Sequence, residues 1–248
     1  MTHAPRATVC LPTYDERDNL ERMVCALGEV LDTRRDRVLV VDDNSPDGTG
    51  AIADALAVEL DWVEVLHRER KQGLGPAYVA AFRRVLATRP AYVLQMDCDF
   101  SHDPADVPRL LAVVGSGADV AIGSRYVAGG SIENWGLVRR GISTGGSLYA
   151  RTLLGLPVRD LTGGFKCFRR EVLEAIDVGS ITSRGYAFQI ETTYRAVRRG
   201  FTVLEVPIRF VDREVGGSKM SRSVVLEAAW KVPAWRLREL LGHRRRLA

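Results

Sequence analysis

The chain has 248 residues, 46% hydrophobic and 27% charged, with a formal net charge of +4. That length and apolar content supply the core of one large α/β domain, with or without a small appendage, and exclude a low-complexity or repeat protein. No run of about 18 uncharged apolar residues offers a membrane-spanning helix, and four scattered cysteines (Cys10, Cys25, Cys98, Cys167) without a C-x-x-C pair exclude a zinc site or disulfide framework and fit a reducing cytosolic setting.

Met1 to Arg6 carries no signal-peptide apolar core and leads into a first strand, Ala7 to Pro12. A polar loop, Pro12-Thr13-Tyr14-Asp15-Glu16, precedes a helix that begins at Asp18 and spaces Leu20, Met23, Val24, Leu27 and Leu31 at helical period. Arg37 to Val41 is a second strand, apolar enough for burial on both faces, and ends in Asp42-Asp43-Asn44-Ser45-Pro46-Asp47-Gly48-Thr49. A helix carrying Ile52, Ala55, Leu56 and Val58 follows, then a third strand, Trp62 to Leu66. Gly73-Leu74-Gly75-Pro76 opens another helix through Leu86, and Ala91 to Gln95 is the fourth strand.

That strand runs into Met96-Asp97-Cys98-Asp99-Phe100-Ser101-His102. Two carboxylates one residue apart share a face on extended backbone and repel unless a cation lies between them. Carboxylate and hydroxyl oxygens suit Mg²⁺ or Mn²⁺ rather than zinc, and Mg²⁺ with few protein ligands completes its shell with substrate phosphates. Taken alone, Asp-x-Asp favours a polar strand-to-loop turn with no metal.

Asp119 to Ile122 is a fifth strand ending in Gly123-Ser124-Arg125-Tyr126, followed by a flexible stretch, Val127 to Asn134. Leu137 to Leu154 reads as a helix with Arg139, Arg140 and Arg151, and Asp160-Leu161-Thr162-Gly163-Gly164-Phe165 as a turn into a short strand. Ala187 to Arg199 reads as a helix capped by Gly200, and Thr202 to Val211 as one last strand. Arg213-Glu214-Val215-Gly216-Gly217-Ser218-Lys219 is a Gly-rich basic loop before a final helix. The alternation of strands and helices predicts a mainly parallel sheet with helices on both faces, whose ligand lies beyond the carboxyl ends of the strands. No G-x-G-x-x-G opens the first βα turn and no G-x-x-x-x-G-K-[ST] occurs, which disfavours a dinucleotide dehydrogenase and excludes a P-loop enzyme.

The ordered motifs Leu11-Pro12-Thr13-Tyr14-Asp15-Glu16, Val41-Asp42-Asp43-Asn44-Ser45-Pro46-Asp47-Gly48-Thr49, Gly73-Leu74-Gly75, Met96 to His102, Gly123-Ser124-Arg125-Tyr126, Leu161-Thr162-Gly163-Gly164-Phe165, Gly185-Tyr186-Ala187-Phe188-Gln189-Ile190-Glu191 and Gly216-Gly217-Ser218-Lys219-Met220 resemble those of family-2 glycosyltransferases of GT-A fold. More closely they resemble dolichyl- and polyprenyl-phosphate mannose synthases. The resemblance spans roughly residues 7 to 222. The chain departs from it mildly at Asp15 and Cys98, where the family often has Asn and Ala, and in lacking the C-terminal transmembrane helices of some members.

The resemblance implies mannosyl transfer from GDP-mannose to a polyprenyl monophosphate, with inversion and a divalent metal, Mg²⁺ or Mn²⁺. It assigns Pro12, Tyr14, Glu16, Val41 and Asp43 to the nucleoside, although Pro12 and Val41 fit core packing as well. Asp97, Asp99 and Ser101 match the metal and diphosphate site, with Cys98 contributing its backbone. Arg125 matches a position near the mannose and the acceptor phosphate, and Arg139 and Ser143 are further phosphate clamps, with Arg140 competing. Arg213 and Lys219 match a loop that closes over the diphosphate. His102 reads as a loop residue rather than a ligand, and Asp160 as a structural partner for an arginine. Alternatives are a polyprenyl-phosphate glucosyltransferase using UDP-glucose and, in a different class, a nucleotidyltransferase.

Residues 1–220 are thus expected to form the catalytic domain and 221–248 a basic, amphipathic terminal helix. From Arg213 to Ala248 there are nine Arg/Lys against three Asp/Glu, and in the rest 26 against 28. Leu226, Trp230, Leu237 and Leu241 fall on one helical side, and Pro233 is expected to kink or break the helix. Such a helix suits a membrane surface, which places the chain at the cytoplasmic face of a membrane. An integral-membrane partner protein is the other means of recruitment. No nucleic-acid motif accompanies the basic tail.

Overall fold

The computed structural model describes residues 6–212 and 222–246, the side chains at 137–139, 222–225 and 242–246 excepted. Seven strands form the main sheet: β1 (Ala7–Thr13), β2 (Asp36–Asp42), β3 (Val63–His67), β4 (Tyr92–Gln95), β5 (Val120–Ser124), β7 (Lys166–Arg169) and β8 (Val203–Pro207). Their order is β3-β2-β1-β4-β7-β5-β8. All run parallel except β7, which lies antiparallel between β4 and β5. Two further short strands, β6 (Ser131–Glu133) and β9 (Arg209–Val211), pair in parallel beside the sheet.

Alternation along the strands builds a core on each face. Ala7, Val9 and Leu11 of β1 and Val38 and Val40 of β2 pack with α1 (Leu20–Val30), α2 (Thr49–Glu59) and α4 (Val107–Gly115). Cys10, Leu39 and Val41 point the other way, into a core with α3 (Leu74–Thr88), α5 (Leu137–Leu154), α6 (Arg170–Ala175) and α7 (Gly185–Arg198). Both faces of β1 and β2 are therefore apolar, as a doubly covered sheet requires.

Three sequence expectations need correction. The last strand is two strands in two sheets: Pro207 has no N–H to continue a ladder, β8 ends there, and β9 crosses to β6. The stretch from Val127 to Asn134 holds β6, too short and polar to register as alternation. The final helix, α8 (Arg222–Arg246), runs through Pro233 without ending.

Helix α8 is apolar on two opposite sides. Val232 is fully buried, and Trp235 stacks on Tyr194 of α7 at 5.9 Å between ring centroids. The other side, with Leu226, Trp230, Leu237, Leu240 and Leu241, is exposed, Trp230 to 74%. Exposed Tyr149 of α5 adjoins α8, its hydroxyl donating to Ala229 O at 3.0 Å, and Leu148 beside it in sequence is exposed as well. Among the described residues no helix is long and apolar enough to cross a membrane.

Candidate functional site

A cavity of about 430 Å³ opens where the carboxyl ends of β1, β2, β4 and β5 meet the loop before β7. The position is the one topology assigns to ligands in such sheets. Three rim loops hold non-glycine residues at positive φ: Asp15 (55°), Asn44 (60°) and Phe100 (59°). Asp and Asn tolerate this region, so either residue type suits position 15. Phe100 does not adopt it cheaply, and it separates Asp99 from Ser101.

The carboxylate loop follows β4 rather than extending it. Tyr78 of α3 donates its hydroxyl to Asp97 Oδ1 at 3.3 Å. Burial holds that phenol well above its ordinary pKa, so the proton stays on the donor. Asp99 Oδ1 accepts the Ser101 N–H at 3.1 Å. Ser101 Oγ is buried and finds no hydrogen-bond partner among the described residues, and a hydroxyl left so is a ready ligand. Two carboxylates and an uncommitted hydroxyl are a hard-oxygen set suited to Mg²⁺ or Mn²⁺. Among the described residues no cluster of three His, Cys, Asp or Glu could hold a metal alone, so substrate oxygens would have to complete the shell.

His102 lines the cavity, but its Nδ1 accepts the Asp97 N–H at 3.3 Å. Burial pushes its pKa down to about 4, so the ring is neutral and its proton sits on Nε2. Neither nitrogen is then a metal ligand. Cys98 touches the cavity while its side chain packs in the core.

At the nucleoside end, Tyr14 carries the Lys71 ammonium 3.4 Å above its ring centroid. Asp43 Oδ2 accepts the N–H groups of Gln72 (3.0 Å) and Gly73 (3.2 Å), and Oδ1 pairs with Arg68. Among the described residues Oδ1 therefore keeps one lone pair open to the edge of a base. Pro12 and Glu16 also line the cavity, Glu16 Oε2 accepting from Asn19 Nδ2 at 2.8 Å. Val41 does not line it: β2 turns this side chain into the core with α3.

At the opposite end, Arg125 is clamped by Asp160. Nε donates to Oδ2 at 2.7 Å and Nη2 to Oδ1 at 2.6 Å, and the Arg125 N–H also meets Oδ2 at 3.0 Å. Burial works against the charge, yet Asp160 outweighs it and raises the guanidinium pKa. Neither side-chain bond to Asp160 uses Nη1, and the rings of Tyr126, Trp135 and Phe210 lie 5.2–5.4 Å from the guanidinium carbon. Asp160 thus has the structural role its sequence position suggested. Ser143 is buried behind this cluster, accepting from Tyr126 at 2.9 Å and lying 3.2 Å from Thr162 Oγ1. Thr162, not Ser143, reaches the cavity wall. Arg140 is exposed on α5. The Arg139 side chain, Arg213 and Lys219 lie outside the described residues, although Val211 N–H bonds Ser101 O at 3.4 Å just before that gap.

Several lining residues had no sequence assignment: Lys71, Gln72, Trp135, Arg184, Tyr186, Gln189 and Phe210. The motif from Gly185 to Glu191 signalled two of them, Tyr186 and Gln189, without indicating a role. Gly75 explains itself here, because a Cβ would stand 2.3 Å from Ser183 O. Only glycine lets α3 pack that closely on the segment that forms this wall.

A family model described as glycosyl transferase family 2 matches residues 8–177. The chain is 48% identical over 241 residues to the polyprenol monophosphomannose synthase of Mycolicibacterium smegmatis, covering 97% of this chain and 90% of that protein. It is 47% identical over 233 residues to the undecaprenyl-phosphate mannosyltransferase of Micrococcus luteus, covering 94% of each. Among solved structures, glucosyl-3-phosphoglycerate synthase from Mycobacterium tuberculosis in complex with Mn²⁺, UDP and phosphoglyceric acid matches with a TM-score of 0.70 at 19% identity, over 94% of this chain and 78% of that one. A mannosyltransferase from Pyrobaculum calidifontis in complex with GDP-Man and Mn²⁺ matches with a TM-score of 0.59 at 17% identity, over 88% and 59%. At those identities the structural likeness establishes the fold.

Proposed function

The chain belongs to glycosyl transferase family 2, and from that premise we propose that it transfers mannose from GDP-mannose to a polyprenyl monophosphate with inversion at the sugar C1. The transfer of mannose to a polyprenyl phosphate accords with the names of both relatives that match nearly the whole chain. The observation that carries the reading is the two-ended cavity: Asp97, Asp99 and Ser101 at one end and the Asp160-clamped Arg125 at the other.

Asp97, Asp99 and Ser101 would hold Mg²⁺ or Mn²⁺, which when bound offsets the negative charge of the departing nucleoside diphosphate. Tyr78 and the Ser101 N–H fix the two carboxylates for that task. Tyr14 offers a face to the base, Asp43 Oδ1 accepts from its edge, and Glu16 stands at the ribose. Arg125 Nη1 faces the acceptor phosphate, whose second pKa is about 6 and which is a nucleophile without a side-chain base. The neutral His102 has no basic nitrogen to spare. The protein's contribution is placement and charge stabilisation.

The exposed apolar side of α8, with exposed Tyr149 of α5 bonded to Ala229, supports attachment to a membrane surface, where a polyprenyl acceptor resides. The acceptor and a nucleotide sugar made in the cytoplasm meet at its cytoplasmic face. The deciding experiment is mass spectrometry of the lipid formed from GDP-mannose or UDP-glucose with mixed polyprenyl phosphates, with and without Mg²⁺, and assignment of the product anomer. A β-mannosyl phosphate formed only with GDP-mannose and metal is expected. A glucosylated lipid would overturn the donor, and a retained α-anomer the single displacement.

A further inference from the structure

Gln189 of α7 is 1% exposed, lines the cavity, and its Nε2 has no hydrogen-bond partner among the described residues. Its orientation is fixed by a backbone group. Gly164 O can only accept, so the Gln95 amide must turn Nε2 toward it, at 2.8 Å. The second proton of Gln95 Nε2 then goes to Gln189 Oε1 at 2.6 Å. Gln189 Oε1 is thereby committed, and its NH₂ group is turned away from Gln95. Lys166 secures the same residue from beneath, its Nζ donating to Gln189 O at 2.7 Å. Gln95 Oε1 is also unpartnered, but Gln95 does not line the cavity.

The place this donor faces is marked by Gly164. A Cβ there would lie 3.6 Å from Gln189 Nε2, 3.4 Å from Asp97 Oδ2 and 3.5 Å from His102 Cε1. The unused amide therefore lies within about 7 Å of a carboxylate of the diphosphate end, and the missing side chain at 164 keeps the gap between them open. A buried donor without a partner carries a standing cost that a ligand can remove. An uncharged amide suits a hydroxyl, whereas the phosphates on either side already have the metal carboxylates and Arg125.

We infer that Gln189 Nε2 donates a hydrogen bond to one hydroxyl of the transferred sugar, which makes it a specificity-determining residue of the donor site. This rests on the GDP-mannose reading above. One neutral hydrogen bond gained in a buried site changes affinity about three- to tenfold.

The test measures binding of GDP, GDP-mannose and the monodeoxy GDP-mannoses to the full chain with Mn²⁺ and no acceptor. Wild type should bind GDP-mannose more tightly than GDP and lose three- to tenfold with one deoxy sugar. Gln189→Met should bind GDP as wild type does, lose the same factor for GDP-mannose, and no longer distinguish that deoxy sugar. Gly164→Ala, which fills the gap at ordinary contact distance from the amide and leaves Gln189 itself unchanged, should show the same sugar-selective loss. An unchanged ratio of GDP-mannose to GDP binding in both variants would overturn the inference, as would an equal loss for GDP and GDP-mannose. Wild type that gains nothing from the mannose unit would overturn the donor reading, and the inference with it.

Discussion

The Glu227 carboxylate on α8 accepts the backbone N–H of Arg184, 3.1 Å from Oε1 and 3.2 Å from Oε2, and ties the terminal helix to a wall of the cavity. Lys231, paired with Glu227 at 2.9 Å, extends the tie by donating to Ser183 Oγ at 3.0 Å. Glu227→Ala should cost about 1 kcal/mol, a Tm loss of about 2–4 °C. It should also slow transfer about tenfold, because Arg184 and Tyr186 lose their brace. Glu227→Gln keeps an acceptor and should stay near wild type. Full activity of the alanine variant in a transfer assay would remove α8 from any part in shaping the wall.

Asp99→Ala should abolish transfer while leaving the fold intact. Asp99 accepts the local Ser101 N–H and sits on a loop past β4, outside both hydrophobic cores. The expected result is a Tm shift of less than about 2 °C and loss of Mn²⁺-dependent GDP binding. Chelation of wild type by EDTA should mimic the variant and be reversed by added Mg²⁺ or Mn²⁺. Transfer that persists in EDTA would refute a metal-held leaving group.

Lys166 predicts a pH dependence of stability. Burial brings its pKa from 10.5 to about 7. Between those values the unfolded chain binds the proton more tightly, so this group makes stability rise with pH, by at most about 1.4 kcal/mol per unit. Three oxygens around Nζ, from Gln189, Thr192 and Thr193, favour the charged form and reduce the slope. Urea unfolding at pH 7 and pH 9 should show a larger gain for wild type than for Lys166→Met. Parallel gains would show that the lysine stays charged in the core throughout.

Trp230→Ser combined with Leu237→Ser should weaken flotation with protein-free liposomes of anionic lipid. Both side chains are exposed and on the side of α8 turned away from α7, so the fold should be unaffected. Wild type should float and the double variant remain largely in the dense fraction. If wild type fails to float as well, attachment belongs to a membrane-embedded partner.

The halves of the site differed in how legible they were in the sequence. Asp97, Asp99 and Arg125 could be read because each follows a strand whose apolar run is unmistakable. Strand ends in a parallel sheet converge whatever lies between them. Their supports were less legible. Tyr78 reaches Asp97 from helix α3, and Gln189 depends on Gln95, 94 residues away; Asp160 could be read as the partner of an arginine, but not of Arg125, 35 residues off, in particular. No local period encodes such pairs. Val41 shows the reverse error: it stands in a site motif, yet strand alternation turns it inward. The family motif suggested Ser143 as a direct clamp, whereas tertiary packing put Thr162 in front of it.

The antiparallel insertion of β7 acts as a gauge. Because it separates β4 from β5, the two ends of the cavity stand two strand spacings apart, about 10 Å. On the proposed reading that span holds the diphosphate and the acceptor phosphate on opposite sides of the sugar C1, and it depends on C1 and its two oxygens rather than on the rest of the ring. The sheet would thus set the distance between leaving group and nucleophile through backbone pairing alone.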